Sequence, residues 1–290
     1  MFVTIITPFY KGEKYIEGLL YMIKQNADEC RKEDLNIKIE YLIVNDSPEV
    51  KLNLENPYTA SFELKILTNK QNSGIHQTRV NGIRKAKGEF VLMLDQDDRL
   101  MPDAILSCVK KAWNADMVIG NGYSIQEERK RIIYRNKLAL NMATVELFYA
   151  FCAPMCISPG HVLIRKSSIP EKWMRNIMKE NGSDDYFLWL LMLDKKCKIA
   201  VIQKPIYEHI GTNENLSLDR KRMFRSSMSF CELAAEKKLL SPSLLKKISR
   251  RTRLKISWNY ESLSVIKRAG LIVRNLDIFM INGIYKMVYK

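Results

Sequence analysis

Phe90-Val91-Leu92-Met93-Leu94-Asp95-Gln96-Asp97-Asp98 is the stretch on which the fold turns. An apolar, β-prone run ending in clustered carboxylates describes a buried strand whose carboxyl end points anionic groups into solvent. Ligands of open α/β sheets bind at that edge. Three carboxylates within four residues repel one another unless a cation or a basic partner sits among them. Hard oxygen donors of this kind suit Mg2+ or Mn2+, ions that in turn suit a diphosphate. A second reading is a solvated turn with a helix cap, since Asp98 and Asp103 flank Pro102 at a helix start.

Upstream, short β-rich runs alternate with longer helical patterns. Val3–Thr7 reads as a strand ending at Pro8, Glu13–Cys30 as a helix, Ile39–Val44 as a strand ending at Asn45-Asp46, and Leu64–Leu67 as a short strand. Gly74–Lys87 has helical spacing and stops at Gly88. Downstream, Pro102–Asn114 reads as a helix and Met117–Gly120 as a strand. This β-α-β-α rhythm implies a mostly parallel sheet with right-handed crossovers. From Tyr123 to Pro159 the pattern is weaker, with a basic run at Arg129–Lys137 and helical spacing at Asn141–Phe151. Val162–Arg165 then reads as a strand, Ser183–Lys195 as a helix and Lys198–Gln203 as a late strand. After Ser217 the chain turns to helices rich in Lys and Arg, with Ser241-Pro242-Ser243 as a break between them. Two regions are expected, 1–217 and 218–290, with the boundary near Leu218.

The net charge of +15 is uneven: residues 218–290 hold 17 Lys and Arg against 5 Asp and Glu, leaving the first 217 residues nearly balanced. That asymmetry points to an anionic partner for the tail. The six cysteines form no Cys-x-x-Cys pair. A chain of this length buries roughly three quarters of its unfolded surface and needs no disulfide framework, so a reducing cytoplasm is expected. The sequence opens directly on Phe2-Val3-Thr4-Ile5-Ile6 with no basic leader, and no apolar run reaches spanning length.

Four segments in order resemble the inverting nucleotide-sugar glycosyltransferases of family 2, whose fold is GT-A, a Rossmann-like, mostly parallel sheet flanked by helices. They are Val3-Thr4-Ile5-Ile6-Thr7-Pro8-Phe9-Tyr10; Tyr41-Leu42-Ile43-Val44-Asn45-Asp46-Ser47; Asn72-Ser73-Gly74 through Arg79, Gly82 and Lys87-Gly88-Glu89-Phe90 into the acidic tetrad; and Ser183-Asp184-Asp185-Tyr186-Phe187-Leu188-Trp189. The resemblance covers about residues 1–217, and the remainder forms a basic helical extension. Three departures stand out: no glycine follows Asp46, Val80 stands where the family often has Asn, and Asp184 replaces a common Glu.

The resemblance implies transfer of a sugar from a nucleotide-diphosphate donor, UDP-type by default, to a saccharide or lipid-linked saccharide in surface glycan assembly. It makes Asp97 a metal ligand, sets Asp95 nearer the ribose, and puts His209 in a late loop near the metal. Asp185 becomes the general base that takes the acceptor proton, although capping of its helix is the simpler role for such a residue. Asp98 is either a second ligand or a helix cap. Asp46 either accepts a hydrogen bond from the base or ribose, or closes an Asx-turn with Ser47-Pro48. Thr7, Pro8 and Tyr10 leave the first strand at the same edge, where Tyr10 either lines the base pocket or packs as an ordinary aromatic. Asn72 and Gly74 precede a helix whose backbone N–H groups suit phosphate or ribose oxygens. Arg79 neutralises diphosphate, clamps Asp95, or is a surface residue. His76 and His161 carry no assigned role, and Trp173 and Trp189 read as core or acceptor wall.

The tail mixes Lys246-Lys247 and Arg250-Arg251-Thr252-Arg253 with Trp258, Tyr260, Phe279, Tyr285 and Tyr289. That mixture suits peripheral attachment to an anionic leaflet, or else a solvated helical face. No nucleic-acid recognition module is present. Two rivals to the glycosyltransferase reading are a nucleotidyltransferase, disfavoured by the single glycine in Pro8-Phe9-Tyr10-Lys11-Gly12, and a non-catalytic nucleotide-sugar-binding protein.

Overall fold

The computed structural model describes residues 1–33, 36–127, 129–152, 154–212, 219–260 and 262–289. One nine-stranded sheet organises them. Its strands are β1 (Phe2–Phe9), β2 (Lys38–Asn45), β3 (Glu63–Thr68), β4 (Phe90–Met93), β5 (Arg99–Leu100), β6 (Met117–Gln126), β7 (Arg129–Ile132), β8 (Val162–Arg165) and β9 (Ile199–Ile210). The spatial order is β3-β2-β1-β4-β8-β6-β9-β5, with β7 paired to β6 outside that path.

β3, β2, β1 and β4 run parallel, so their carboxyl ends emerge side by side at Thr68, Asn45, Phe9 and Met93. β1, β2 and β4 are almost wholly buried, which is why they read as continuous β-branched and apolar runs rather than as alternation. β8 is antiparallel to both neighbours, and β6 and β9 are parallel to each other.

Among the described residues, eleven α-helices cover the sheet and extend it: α1 (Ile16–Lys32), α2 (Ile75–Lys85), α3 (Ala104–Lys111), α4 (Lys137–Met142), α5 (Glu146–Phe151), α6 (Glu171–Arg175), α7 (Asp184–Asp194), α8 (Arg220–Glu236), α9 (Pro242–Tyr260), α10 (Val265–Arg274) and α11 (Leu276–Tyr289). α1 buries Ile16, Leu19, Leu20, Ile23, Ala27 and Cys30, the stripe its helical spacing foretells. α7 is buried on every side from Tyr186 to Leu193, as a helix apolar all round must be.

Two sequence expectations change. The late strand does not stop at Gln203 but continues as β9 to Ile210. Pro205 reads as a strand breaker, yet the register between β6 and β9 shifts at Asn121 and absorbs it as a bulge. Gly122 allows the close approach, because a Cβ there would lie 2.6 Å from the Tyr207 carbonyl oxygen. The single helix expected at Asn141–Phe151 is two short ones, α4 and α5. The expected domain boundary near Leu218 falls outside the described residues. All six cysteines are free thiols. No helix among the described residues is long and apolar enough to cross a membrane.

Candidate active site

The carboxyl ends of β1, β2 and β4 open onto a cleft of about 830 Å3. The Leu94 N–H donates to Ile6 O at 2.8 Å, the Asp98 N–H closes a turn on Asp95 O at 3.1 Å, and Asp95 and Asp97 are thereby raised into the cleft. Pro8, Tyr10, Asp46, Asn72, Gly74, Arg79, Asp185 and His209 also line it. Thr7 does not: its side chain is buried and accepts a hydrogen bond from the Tyr41 hydroxyl at 3.1 Å.

Arg79 is the hinge of the electrostatics. Only 3% exposed, it donates to Asp184 at 2.7 Å and to Asp95 at 2.6 Å. It therefore ties the end of β4 to the start of α7, and the surface reading of Arg79 is excluded. Burial opposes ionisation of Asp184, but Arg79 outweighs it and holds the carboxyl below its usual range. Asp185, one residue on, lines the cleft and has no such partner. Burial, and then the Asp184 charge, push it up to about 7.

Asp98 is neither exposed nor a helix cap. Its carboxylate is buried and accepts from the Ile210 N–H at 2.9 Å, His209 Nδ1 at 3.0 Å, Ser158 Oγ at 3.3 Å and the Tyr207 hydroxyl. This turns the His209 ring so that Nδ1 faces Asp98. Burial lowers the basicity of His209, but the hydrogen bond to Asp98 reverses it and leaves the value raised. Asp97 forms no ion pair among the described residues. Burial, then Asp98 and Asp95, lift it to about 6, the mark of a carboxylate site short of positive charge.

Asp46 has a structural duty. It accepts from Asn69 Nδ2 at 2.8 Å and from the N–H groups of Ser73 at 2.8 Å and Gly74 at 2.9 Å. The Asx-turn belongs to Asn45 instead, whose Oδ1 receives the Ser47 N–H. The Gly74 N–H is thus already occupied, and Asn72 Oδ1 also accepts from it at 3.2 Å. Gly74 sits at φ 80°, where a Cβ would lie 2.8 Å from Asn181 Oδ1, so glycine lets this loop reach the segment before α7.

Several cleft residues were not singled out from sequence. Gln96, inside the acidic tetrad, clasps the Tyr10 backbone: the Tyr10 N–H donates to its Oε1 at 2.9 Å and its Nε2 donates to Tyr10 O at 3.1 Å. Pro154, Ile157 and Ser158 come from the poorly patterned middle segment, and Arg222 and Met223 from the first turn of α8. No local signal marks them, because only the fold brings them to the cleft. His76 and His161 are buried in the core, where His161 is pushed down to about 4 by burial. Trp173 and Trp189 are core residues, with Trp173 Nε1 donating to Asp184 O.

Among the described residues no cluster of three or more His, Cys, Asp or Glu forms a ready-made metal cage. The donor set nonetheless fits a hard divalent ion shared with a phosphate ligand. Mg2+ commonly takes one or two protein carboxylates and completes its shell with water and phosphate oxygens. Asp97 offers an unpaired carboxylate, and an imidazole oriented through Nδ1 by Asp98 leaves Nε2 as the ligating nitrogen.

Residues 4–171 match Glycosyl transferase family 2. An uncharacterized glycosyltransferase of Haemophilus influenzae is 30% identical over 100 residues, 34% of this chain and 31% of that protein. The poly(ribitol-phosphate) beta-N-acetylglucosaminyltransferase TarS of Staphylococcus aureus is 31% identical over 105 residues, 35% of this chain and 17% of TarS. The matched segments thus span under a third of these relatives' lengths. A crystallised fragment of TarS in complex with UDP-GlcNAc shares the fold, with a TM-score of 0.62 at 16% identity over 96% of this chain and 80% of that one. With the family match covering more than half of the chain and the GT-A arrangement of sheet and helices in place, the protein belongs to glycosyltransferase family 2 and is an enzyme of that family.

Proposed function

We propose that this enzyme moves one sugar, with inversion, from a nucleotide-diphosphate donor of UDP type to a saccharide or lipid-linked saccharide acceptor in surface glycan synthesis. The observation that carries the reading is a single cleft holding two acidic centres of different character. Asp97, just past the end of β4, lines it with His209 of β9, and Asp185 stands at the start of α7 with its carboxyl raised to about 7. The complex of TarS with UDP-GlcNAc supports the donor class, and the name of TarS supports a polyol-phosphate or saccharide acceptor.

The chemistry balances as a single displacement. An acceptor hydroxyl oxygen forms a bond to the anomeric carbon as the bond from that carbon to the diphosphate breaks. The hydroxyl proton passes to a carboxylate oxygen of Asp185, whose raised value matches a base working near neutral pH. The nucleotide diphosphate leaves with the bonding pair. Asp97 and His209 Nε2 would hold Mg2+ or Mn2+, which when bound neutralises charge on the leaving diphosphate. Asp98 fixes the imidazole, Arg79 keeps Asp184 ionised beside Asp185, and Gln96 holds the Tyr10 loop over the donor side.

The protein is read as acting at the inner face of a cell membrane, where the basic region 218–290 favours anionic lipid. The test is release of nucleotide diphosphate from a panel of nucleotide sugars with and without Mn2+. Metal-dependent release from one donor supports the reading, and no release from any donor contradicts it.

A further inference from the structure

We propose that α10 and α11 form a membrane-inserting surface that seats this chain in an anionic leaflet through apolar side chains, with the basic residues acting as flanks. Large apolar residues are laid open to solvent along both helices. Val265 and Ile266 are each 84% exposed, Val273 75% and Met287 78%. On α10, Val265, Ile266, Ala269, Ile272 and Val273 fall on one stripe at helical spacing, with Lys267 and Arg274 on the opposite side. On α11, Leu276, Met280, Ile284 and Met287 make a second exposed stripe, while Ile278 is buried on the other side of the helix. α11 is thus apolar towards the protein and towards solvent alike, a pattern an isolated soluble helix does not keep.

The charges choose the occupant. From residue 262 to the end, Asp277 is the sole acidic residue, and it is bound to Arg250 at 2.8 Å. Arg268 borders the α10 stripe, and Lys267, Arg274 and Lys286 are exposed on the same two helices. A second copy would bring a like charge of +12 over residues 218–290 against this one. An anionic lipid surface satisfies both features at once, taking the apolar stripes below its headgroups and the cations among them. Neither helix crosses the bilayer, so the chain lies on the leaflet.

The scaffold connects this surface to the cleft. Asn282 on α11 donates to Phe151 O at the end of α5 at 2.8 Å, and the segment that follows α5 carries Pro154 and Ile157 into the cleft wall. An acceptor anchored in the leaflet is thereby brought to the enzyme on the side these residues line. This part of the inference rests on the proposed transfer reaction, whereas lipid binding itself does not.

The test is flotation of the whole chain, without donor, on vesicles of phosphatidylcholine containing phosphatidylglycerol. The expected result is strong binding to these vesicles, falling about tenfold or more in the double substitution I266D/V273D. The melting temperature of that variant, and its release of nucleotide diphosphate in solution, stay unchanged, because both positions lie far out in solvent. Salt at about 0.5 M weakens the wild-type binding without abolishing it, since screening removes only the charge contribution. Four results would overturn the proposal: no flotation of the wild type, equal flotation of the variant, complete loss of binding in salt, or a solution dimer that the two substitutions convert to monomer. None of the four depends on sugar transfer, so a chain that binds lipid but releases no nucleotide would refute the transfer reading alone.

Discussion

The two acidic centres of the cleft are built on opposite plans. At Asp95–Asp98 the turn after β4 pulls one carboxylate, Asp98, completely inside and surrounds it with four donors from β9 and the segment before β8. Its neighbour Asp97 is left in the cleft without an ion pair among the described residues. At Asp184-Asp185 the inward carboxylate is satisfied by one cation, Arg79, and the neighbour Asp185 accepts only the Tyr186 N–H at 2.6 Å, with no ion pair among the described residues. In each pair one acid is held by buried partners and its neighbour lines the cleft. The difference lies in what the fixed acid does: Asp98 orients a histidine, whereas Asp184 supplies a negative charge that raises Asp185. The first arrangement suits binding a cation and the second suits accepting a proton.

Arg79 spans both centres, so its loss should have the largest effect. Replacing it with Met leaves Asp95 and Asp184 without their shared cation. The chain should lose about 3–5 kcal/mol of unfolding free energy, since breaking a buried pair costs that much, and chemical denaturation would measure it. A loss under about 1 kcal/mol would mean the two centres are independently stable.

The cation-binding side is sharpened by Asp97→Asn and His209→Ala. In the wild type, donor with Mn2+ at about a hundred times the dissociation constant should add roughly 2.7 kcal/mol of stability. Either substitution should remove most of the manganese-dependent part of that shift, measured against each variant's own metal-free melting temperature. An undiminished shift in both variants would move the ion elsewhere.

The proton-accepting side is sharpened by pH. Asp185 sits near 7 in the folded chain against an ordinary 3.8. Between those values the folded state holds a proton that the unfolded chain has released, so stability falls as pH rises from about 4 to 7. Transfer moves the other way, climbing about tenfold per pH unit below 7 and levelling above it. Asp185→Asn should accordingly gain stability relative to wild type at pH 8 and not at pH 4, a difference thermal unfolding would read.

Much of this was legible in the sequence, for identifiable reasons. β2 and β4 carry apolar runs that end next to an acid, and α7 carries one that begins at a pair of acids, so both the element and its cleft-facing end are written locally. Thr7 was misplaced because the strand runs on to Phe9 instead of ending at Pro8, and Tyr41 from the adjacent β2 covers its hydroxyl. The burial of Asp98 was hidden because Ser158, Tyr207 and His209 reach it from more than fifty residues away. Pro205, which ends a strand in sequence and only bends one in the sheet, hid Tyr207 and put His209 in a loop where the fold has it on β9. In the tail, helical periodicity was plain, whereas which stripe the protein covers depends on contacts with α4 and α5.

Asp185→Asn tests the division of labour most directly, provided donor affinity and transfer rate are measured on the same preparation with Mn2+ present. Transfer should fall by about a hundredfold to ten-thousandfold, the usual contribution of a general base, while the dissociation constant for the nucleotide sugar stays within about twofold. Near-normal transfer, or a donor affinity lost in step with the rate, would contradict the assignment of proton and cation to separate acidic centres.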